Sequence, residues 1–410
     1  IILLGVISSL FYVVFKTTQE WKWIPFPNQW ISPVELFEKF FENFALSFSF
    51  LEKDYPMVHS LISDGIIGGI GAVLNFIPLI FVLFLLISAL EDTGYVARIA
   101  FILDRLMRIF GLQGRSILAL IISGGIGAGG CAVPGILATR TLQERKDKII
   151  TMLVIPFMSC GAKLPVYALL IGAFFQHHRT LVMLTLWALS WLIALISAFI
   201  LSRFVIRGEP TPFVLELPPY HIPVFKSVLR HTWGRTWMYI RKAGTLILAV
   251  NIIMWALIYI PIPYQRITQN NEPQGIESSI AGILGRTIEP VTKHIGFDWK
   301  VNIALIGGMA AKEVIVGTLG TVYHMEISDN INPDSLSANL TRHKEWYPLR
   351  AFTLMIFVML YAPCVATLVT IGRETGSIRI PIFSLFFSTT VAFIVSLIVF
   401  HIGHLLSLGI

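Results

Sequence analysis

The chain has 410 residues, 55% of them hydrophobic and only 13% charged, with mean hydropathy +0.74, which excludes an ordinary soluble domain and points to a polytopic helical membrane protein. Its net charge of +7 sits in short loops between apolar runs, where the positive-inside bias accounts for it without nucleic acid as a partner. Three cysteines are too few for a disulfide scaffold and all fall inside apolar segments, so free thiols are expected.

Ile1 to Phe15 is a short apolar run, read as the end of a first span. The chain opens on Ile1 without a basic n-region or signal-peptide pattern, and a preceding segment is expected. Trp21 to Trp30, rich in Trp, Phe and Pro, reads as an interfacial turn. Ser32 is placed to cap a surface helix from Pro33 to about Leu51, in which Leu36, Phe37, Phe40, Phe41 and Phe44 follow helical spacing. A span from Ile66 to Leu90 follows, with Pro78 as a kink, and ends at Glu91 and Asp92, where a solvated helix terminus is expected. A basic loop holds Arg98, Arg105, Arg108 and Arg115.

Next comes SGGIGAGGCAVPG, Ser123 to Gly135, with six glycines and one proline in thirteen residues. Such a stretch does not sustain an unbroken helix, because glycine favours non-helical backbone and proline removes a donor. Irregular backbone at membrane depth is tolerated only inside protein or along a water-filled cavity, which makes a broken segment a candidate ion or substrate site. Basic residues flank it on both sides (Arg140, Arg145, Lys146 and Lys148 follow), so a re-entrant hairpin opening to the cytoplasm is predicted.

The chain is then expected to cross at 149–175, turn at Gln176-His177-His178-Arg179 and return at 181–201. A basic cytoplasmic loop, a crossing at 243–260 and a polar outer stretch lead to a second apolar hairpin, Val301 to Tyr323. A polar insert and spans at 351–371 and 380–406 complete it. The domain reading is 1–64 for the first span and surface helix, 65–202 for a first repeat, 203–242 for the cytoplasmic loop, 243–377 for a second repeat and 378–410 for a C-terminal span. The fold class is all-α, with an inverted repeat carrying two Gly-rich re-entrant or broken helical hairpins.

The repeat shows in short matches. Leu103-Asp104-Arg105 with Gly111-Leu112 recurs as Leu284-Gly285-Arg286 with Gly296-Phe297, each before a Gly-rich hairpin. After each hairpin stands a Cys-x-Ala-x-Leu, Cys160 to Leu164 and Cys364 to Leu368. Three crossings between the hairpins would make them enter from opposite sides.

A cysteine in an apolar span is ordinarily a small hydrophobe. Cys131, Cys160 and Cys364, however, each lie beside a Gly or Pro break, where freed carbonyls join soft sulfur as ligands. Lys312-Glu313, in the second hairpin, is either a mutually neutralising pair or a source of a carboxylate for a divalent cation. Met152, Met158, Met309 and Met355 read as packing, and His177 and His178 as outer-surface residues. The sequence has no His-Glu-x-x-His and no Gly-x-x-x-x-Gly-Lys-[Ser/Thr], which disfavours a zinc hydrolase and leaves no nucleotide-binding loop of that type.

These residues resemble the membrane part of the ferrous iron transport protein B family, FeoB. The likeness is carried by LEDTGYVARIAFILDRLMRIFGLQGRS, CAVPGILATRTLQERKDKIITMLVIPFMSCGAKLPVYALLIGAF, GGMAAKEVIVGTLGTVY and YAPCVATLVTIGRETGS, in order from Glu91 to Ser377 and similar to that family's paired Gate motifs. The resemblance implies a multi-pass importer of Fe2+ in a bacterial cell inner membrane, not itself an enzyme. GTP would be handled by an N-terminal cytosolic G domain, joined in cis or supplied in trans. A small cytosolic Feo accessory protein and a homo-oligomer are further implied partners beside the lipid bilayer. It implies metal ligands at Cys131, Cys160, Cys364 and Glu313. One departure is Ala132, where the family commonly has Asn, which removes an oxygen ligand. Mixed S and O ligands suit Fe2+ and also accept Mn2+, Co2+ or Zn2+. The alternatives are a Gate carrier of nucleosides or another organic solute, and a non-transporting Gate scaffold.

Overall fold

The computed structural model describes residues 77–125, 130–142, 144–206, 224–241, 280–310, 314–324 and 346–406, together with two short strands and scattered single positions. The strands β1 (Ile24–Phe26) and β2 (Gln29–Ile31) pair antiparallel with Pro25 opposite Trp30, so the expected interfacial turn is a tight hairpin. The first apolar run, the surface helix expected at 33–51, most of the crossing expected at 243–260, most of the polar insert (325–339 and 342–345) and Glu313 lie outside the described residues.

The helices in chain order are α1 (Ile77–Asp92), α2 (Tyr95–Ile109), α3 (Ser116–Leu120), α4 (Ala132–Ala138), α5 (Arg145–Val154), α6 (Leu164–Phe174) and α7 (Arg179–Ile200). They continue with α8 (Phe225–Tyr239), α9 (Ile280–Thr292), α10 (Trp299–Ala310), α11 (Val314–His324), α12 (Pro348–Leu360), α13 (Val365–Thr375) and α14 (Arg379–Leu405). The chain forms two compact units, one from Ile1–Ile155 and Ala194–Ile252, the other from Pro156–Ile193 and Ile253–Ile410.

In the first unit α1 packs on α2 and α8, and α3 on α2, α4 and α5. Helix α8 lies within the stretch expected to be a basic loop. Its Val228, Thr232 and Thr236 recur every four residues and are buried, and this periodic face overrides the loop-like basic composition. In the second unit α12 is buried along nearly its whole length, packed on α6 and α14, while α10 packs on α9 and α11. Helix α14 turns Ser384, Ser388, Ala392, Ser396 and Gly403 inward and leaves Ile382, Phe386, Ile394, Ile398 and Ile402 exposed. Small residues at four-residue spacing let helices approach closely where lipid supplies no hydrophobic drive between them. At Gly403 a Cβ would strike the Leu349 side chain.

Among the described residues three stretches are long and apolar enough to cross a membrane: Arg179–Val205, Pro348–Thr375 and Arg379–Leu405. The second is not one helix, because it breaks between Leu360 and Val365. The crossing expected at 149–175 is likewise interrupted between Val154 and Leu164. By hydropathy each run reads as one crossing, with breaks marked at Gly161 and Pro363 beside their cysteines. Pro156, Gly161 and Pro363 deny them that continuity by removing donors and freeing φ.

The element order α2, α3/α4, α5/α6, α7 recurs as α9, α10/α11, α12/α13, α14. The glycines that close α2 and the turn after α9 match: Gly111 has φ +74° and Gly296 φ +80°. In each, the following N–H reaches back five residues, Leu112 to Met107 and Phe297 to Thr292. This is the left-handed glycine cap that ends a helix and redirects the chain.

Candidate functional site: cysteines and lysines at broken helices

The first break begins where α3 passes into a π-helical turn, Ile121–Gly125, with Gly124 at φ +147°. By Cys131 the chain has doubled back, since the Cys131 N–H donates to the Ile122 carbonyl over 3.2 Å. Gly130 is required by contact as well as by backbone freedom: a Cβ there would fall on Ile122 O, Ser123 C and Gly124 N. Gly135 lies similarly against Ser123, whose hydroxyl donates to Ala119 O at 2.6 Å.

All three cysteines hold the same local position. Cys131 (φ −137°, ψ 135°), Cys160 (φ −91°, ψ 160°) and Cys364 (φ −63°, ψ 154°) are extended residues immediately before a helical segment. Cys131 precedes α4, Cys160 the short 3-10 turn Gly161–Lys163 that leads into α6, and Cys364 α13. At each break the cysteine is thus the residue at which extended backbone passes into a helical turn. Each is half-buried and none forms a disulfide, as expected for free thiols. The Cys364 Sγ is 3.0 Å from the Thr367 hydroxyl, three residues on.

Within the second unit, two lysines enter the breaks. The Lys163 Nζ donates to Pro156 O at 3.2 Å, Met158 O at 2.8 Å and Met359 O at 2.6 Å. These carbonyls belong to two broken helices and lack regular helical partners, so the ammonium supplies the donors the breaks removed. The Lys312 Nζ donates to Ala362 O at 2.8 Å and lies 3.2 Å from the centroid of the Tyr361 ring. Tyr361 in turn donates to Leu305 O at 3.3 Å, tying α10 to the same break. Both lysines are buried, at 3% and 4% exposure.

At the start of α10, Asp298 accepts from Val301 N at 2.9 Å and the Tyr323 hydroxyl at 3.0 Å, and forms an ion pair with Arg350 Nη2 at 2.9 Å. Burial alone pushes its carboxyl up, but the Arg350 guanidinium and these hydrogen bonds outweigh it and hold the group below the usual carboxylate value.

In the second unit Lys163, three residues after Cys160, thus reaches Met359 O, and Lys312 reaches Ala362 O, two residues before Cys364. Among the described residues no three His, Cys, Asp or Glu side chains converge in metal-holding geometry. Along the chain the Lys312-Glu313 pair stands out, whereas Lys163 is inconspicuous within its apolar run. The overlooked signal was a charge three residues after a break inside an apolar run, where an ionisable group requires partners.

Apolar helices broken at three cysteines, with three stretches long enough to cross a bilayer among the described residues, define a helical membrane protein. The family signature described as "Gate: Nucleoside recognition" matches residues 73–174 and 240–378, and "Ferrous iron transport protein B C terminus" matches 183–235. The chain belongs to the ferrous iron transport protein B (FeoB) family and corresponds to its membrane part. It is 40% identical, over 84% of its length, to a Porphyromonas gingivalis "Fe(2+) transport protein A/Fe(2+) transporter FeoB fusion protein", and covers 44% of that protein. It is 40% identical to the Methanocaldococcus jannaschii "Fe(2+) transporter FeoB", aligning over 85% of this chain and 50% of that one. With the Staphylococcus aureus protein of the same description the identity is 34% over 97% of this chain and 56% of the relative. The chain therefore spans about half the length of the curated relatives it matches. No solved structure matches it.

Proposed function

We propose that this chain is the membrane path of an importer that moves Fe2+ into the cytoplasm across a bacterial inner membrane. In this reading Cys131, Cys160, Cys364 and Glu313 are the ligands the ion meets. A G domain, in cis or in trans, regulates or drives the movement, and a small cytosolic Feo protein assists it. The observation that carries the reading is the shared placement of the three cysteines, each the extended residue that starts a new helical segment after a break. Thiolates poised this way, beside carbonyl oxygens, offer the mixed soft and hard donors that a borderline divalent ion accepts. Relatives described as Fe(2+) transporters align over most of the chain, and one is fused to an Fe(2+) transport protein A. Ligation must also be weak enough to let the ion go, which half-buried thiols at a helix break permit better than a closed cage.

The test is uptake of radiolabelled Fe2+ by cells carrying the chain with its G domain, comparing wild type with Cys131→Ser, Cys160→Ser, Cys364→Ser and Glu313→Gln at equal membrane abundance. Loss of uptake in the cysteine variants is expected; unchanged uptake in all of them removes the thiol path. The description "Nucleoside recognition" favours a second reading, a carrier of nucleosides or a similar organic solute. Competition of Fe2+ uptake by excess nucleoside, with nucleoside accumulation that survives loss of the cysteines, would move the conclusion there.

A further inference from the structure

The proposed path poses an electrostatic problem. Two buried amines are bound at the breaks that hold the two thiols that are to receive a divalent cation: Lys163 at Met158 O, two residues before Cys160, and Lys312 at Ala362 O, two residues before Cys364. Lys163 is an ammonium by donor count, since three carbonyls within 3.2 Å use three N–H donors and a neutral amine has only two. Lys312 has one carbonyl and the face of Tyr361, the environment that a positive charge seeks. The acceptors are main-chain carbonyls of Pro156, Met158, Met359 and Ala362, gathered where α5/α6 and α12/α13 break. Carbonyls freed at helix breaks are what transporters use to coordinate bare cations.

We propose that these four carbonyls form an oxygen site for a divalent cation, and that Lys163 and Lys312 fill it in the empty protein as tethered surrogate cations. An ion arriving at Cys160 and Cys364 repels both ammonium groups and competes for their oxygens. Lys163 joins the two breaks, and Lys312 reaches the second of them from the turn between α10 and α11. Releasing both amines therefore unfastens α6 and α11 from the α12/α13 break, and their return expels the ion. The lysines are positioning residues that set affinity and release. This inference rests on the metal reading above, and the experiment separates the two.

The experiment uses the full chain in lipid nanodiscs, under reducing anaerobic conditions, with Co2+ alone as the probe. Thiolate-to-cobalt charge-transfer absorption reports sulfur ligation, and acetylation by a small permeant anhydride, read residue by residue by mass spectrometry, reports amine release. Co2+ is expected to raise acetylation of Lys163 and Lys312 severalfold, while the exposed Lys226 and Lys293 do not change. Lys163→Met orphans three carbonyls and is a folding risk, so Lys312→Met is the variant of choice. It should bind Co2+ about tenfold more tightly, through loss of a competing charge, whereas Lys312→Arg keeps wild-type affinity. A cobalt–thiolate band without amine release, or Lys312→Met with equal or weaker affinity, overturns the latch and leaves the metal reading intact. Absence of any cobalt–thiolate band in the wild-type protein overturns both.

Discussion

The Arg350 guanidinium meets the Asp298 carboxylate at 2.9 Å, joining α12 to the turn that begins α10. Arg350 is buried and Asp298 nearly so, with side-chain exposures of 6% and 18%. The pair fixes how the second hairpin meets the central helix of its unit, so its strength bears on every position that the hairpin controls.

Because the Asp298 carboxyl is held below the usual value, its contribution is present above the unfolded pKa of about 3.9 and is lost as pH falls through the lower folded value. The wild-type protein is therefore expected to lose thermal stability below about pH 4 more steeply than Asp298→Asn. At neutral pH, Asp298→Asn should cost about 3 kcal/mol, since it leaves a buried guanidinium without its counter-charge. Melting curves of both proteins in detergent across this range check the sign and the size. A parallel pH dependence in the two would remove Asp298 from the account.

Gly130→Ala is expected to disrupt the first hairpin. The added Cβ meets backbone rather than a movable side-chain tip, so the cost should exceed the usual 1–3 kcal/mol of overpacking, roughly. The Cys131 N–H would lose its bond to Ile122 O, and the thiol would be displaced with it. The readouts are folded yield and the alkylation rate of Cys131. A wild-type rate in well-folded protein would show that the chain need not double back so tightly.

Three left-handed glycines give a graded series. Gly376, at φ +64°, has open space around it, so Gly376→Ala should cost only the backbone term of about 1 kcal/mol. Gly111→Ala and Gly296→Ala add contact with Ser202 and Phe400 respectively, and should each cost clearly more. Chemical denaturation ranks the three. Equal losses at all three sites would mean that neighbours relax freely around the caps.

Cys160→Ser and Cys364→Ser are expected to be non-additive in Co2+ affinity. If both thiols hold one ion, the second substitution should cost far less than the first, with coupling of about 1–3 kcal/mol. Isothermal titration of wild type, both single variants and the double variant closes the cycle, and strict additivity would mean separate sites.

Much of the fold could be read along the chain. The break in the Gly-rich stretch at Ser123 to Gly135 and the span end at Glu91 and Asp92 follow from composition alone. Helix α8 was illegible because its buried face has only Val228, Thr232 and Thr236 in a basic, aromatic stretch, a pattern that resembles a loop until α1 covers it. The breaks at Cys160 and Cys364 are visible as Gly161, Pro165 and Pro363, although hydropathy averaged over each span gives no sign of them.

The sequence by itself determined that this is a membrane protein, where its helices must break, and that a cysteine stands at three of those breaks, because these depend on local backbone freedom and on the cost of apolar surface in water. Only the tertiary structure decided what satisfies the broken ends. That Lys163 answers Met359, 196 residues away, and that Lys312 answers Ala362, depends on which carbonyls the packed helices bring within reach. A buried ammonium must find its partners in space, and no spacing along the chain records where they are.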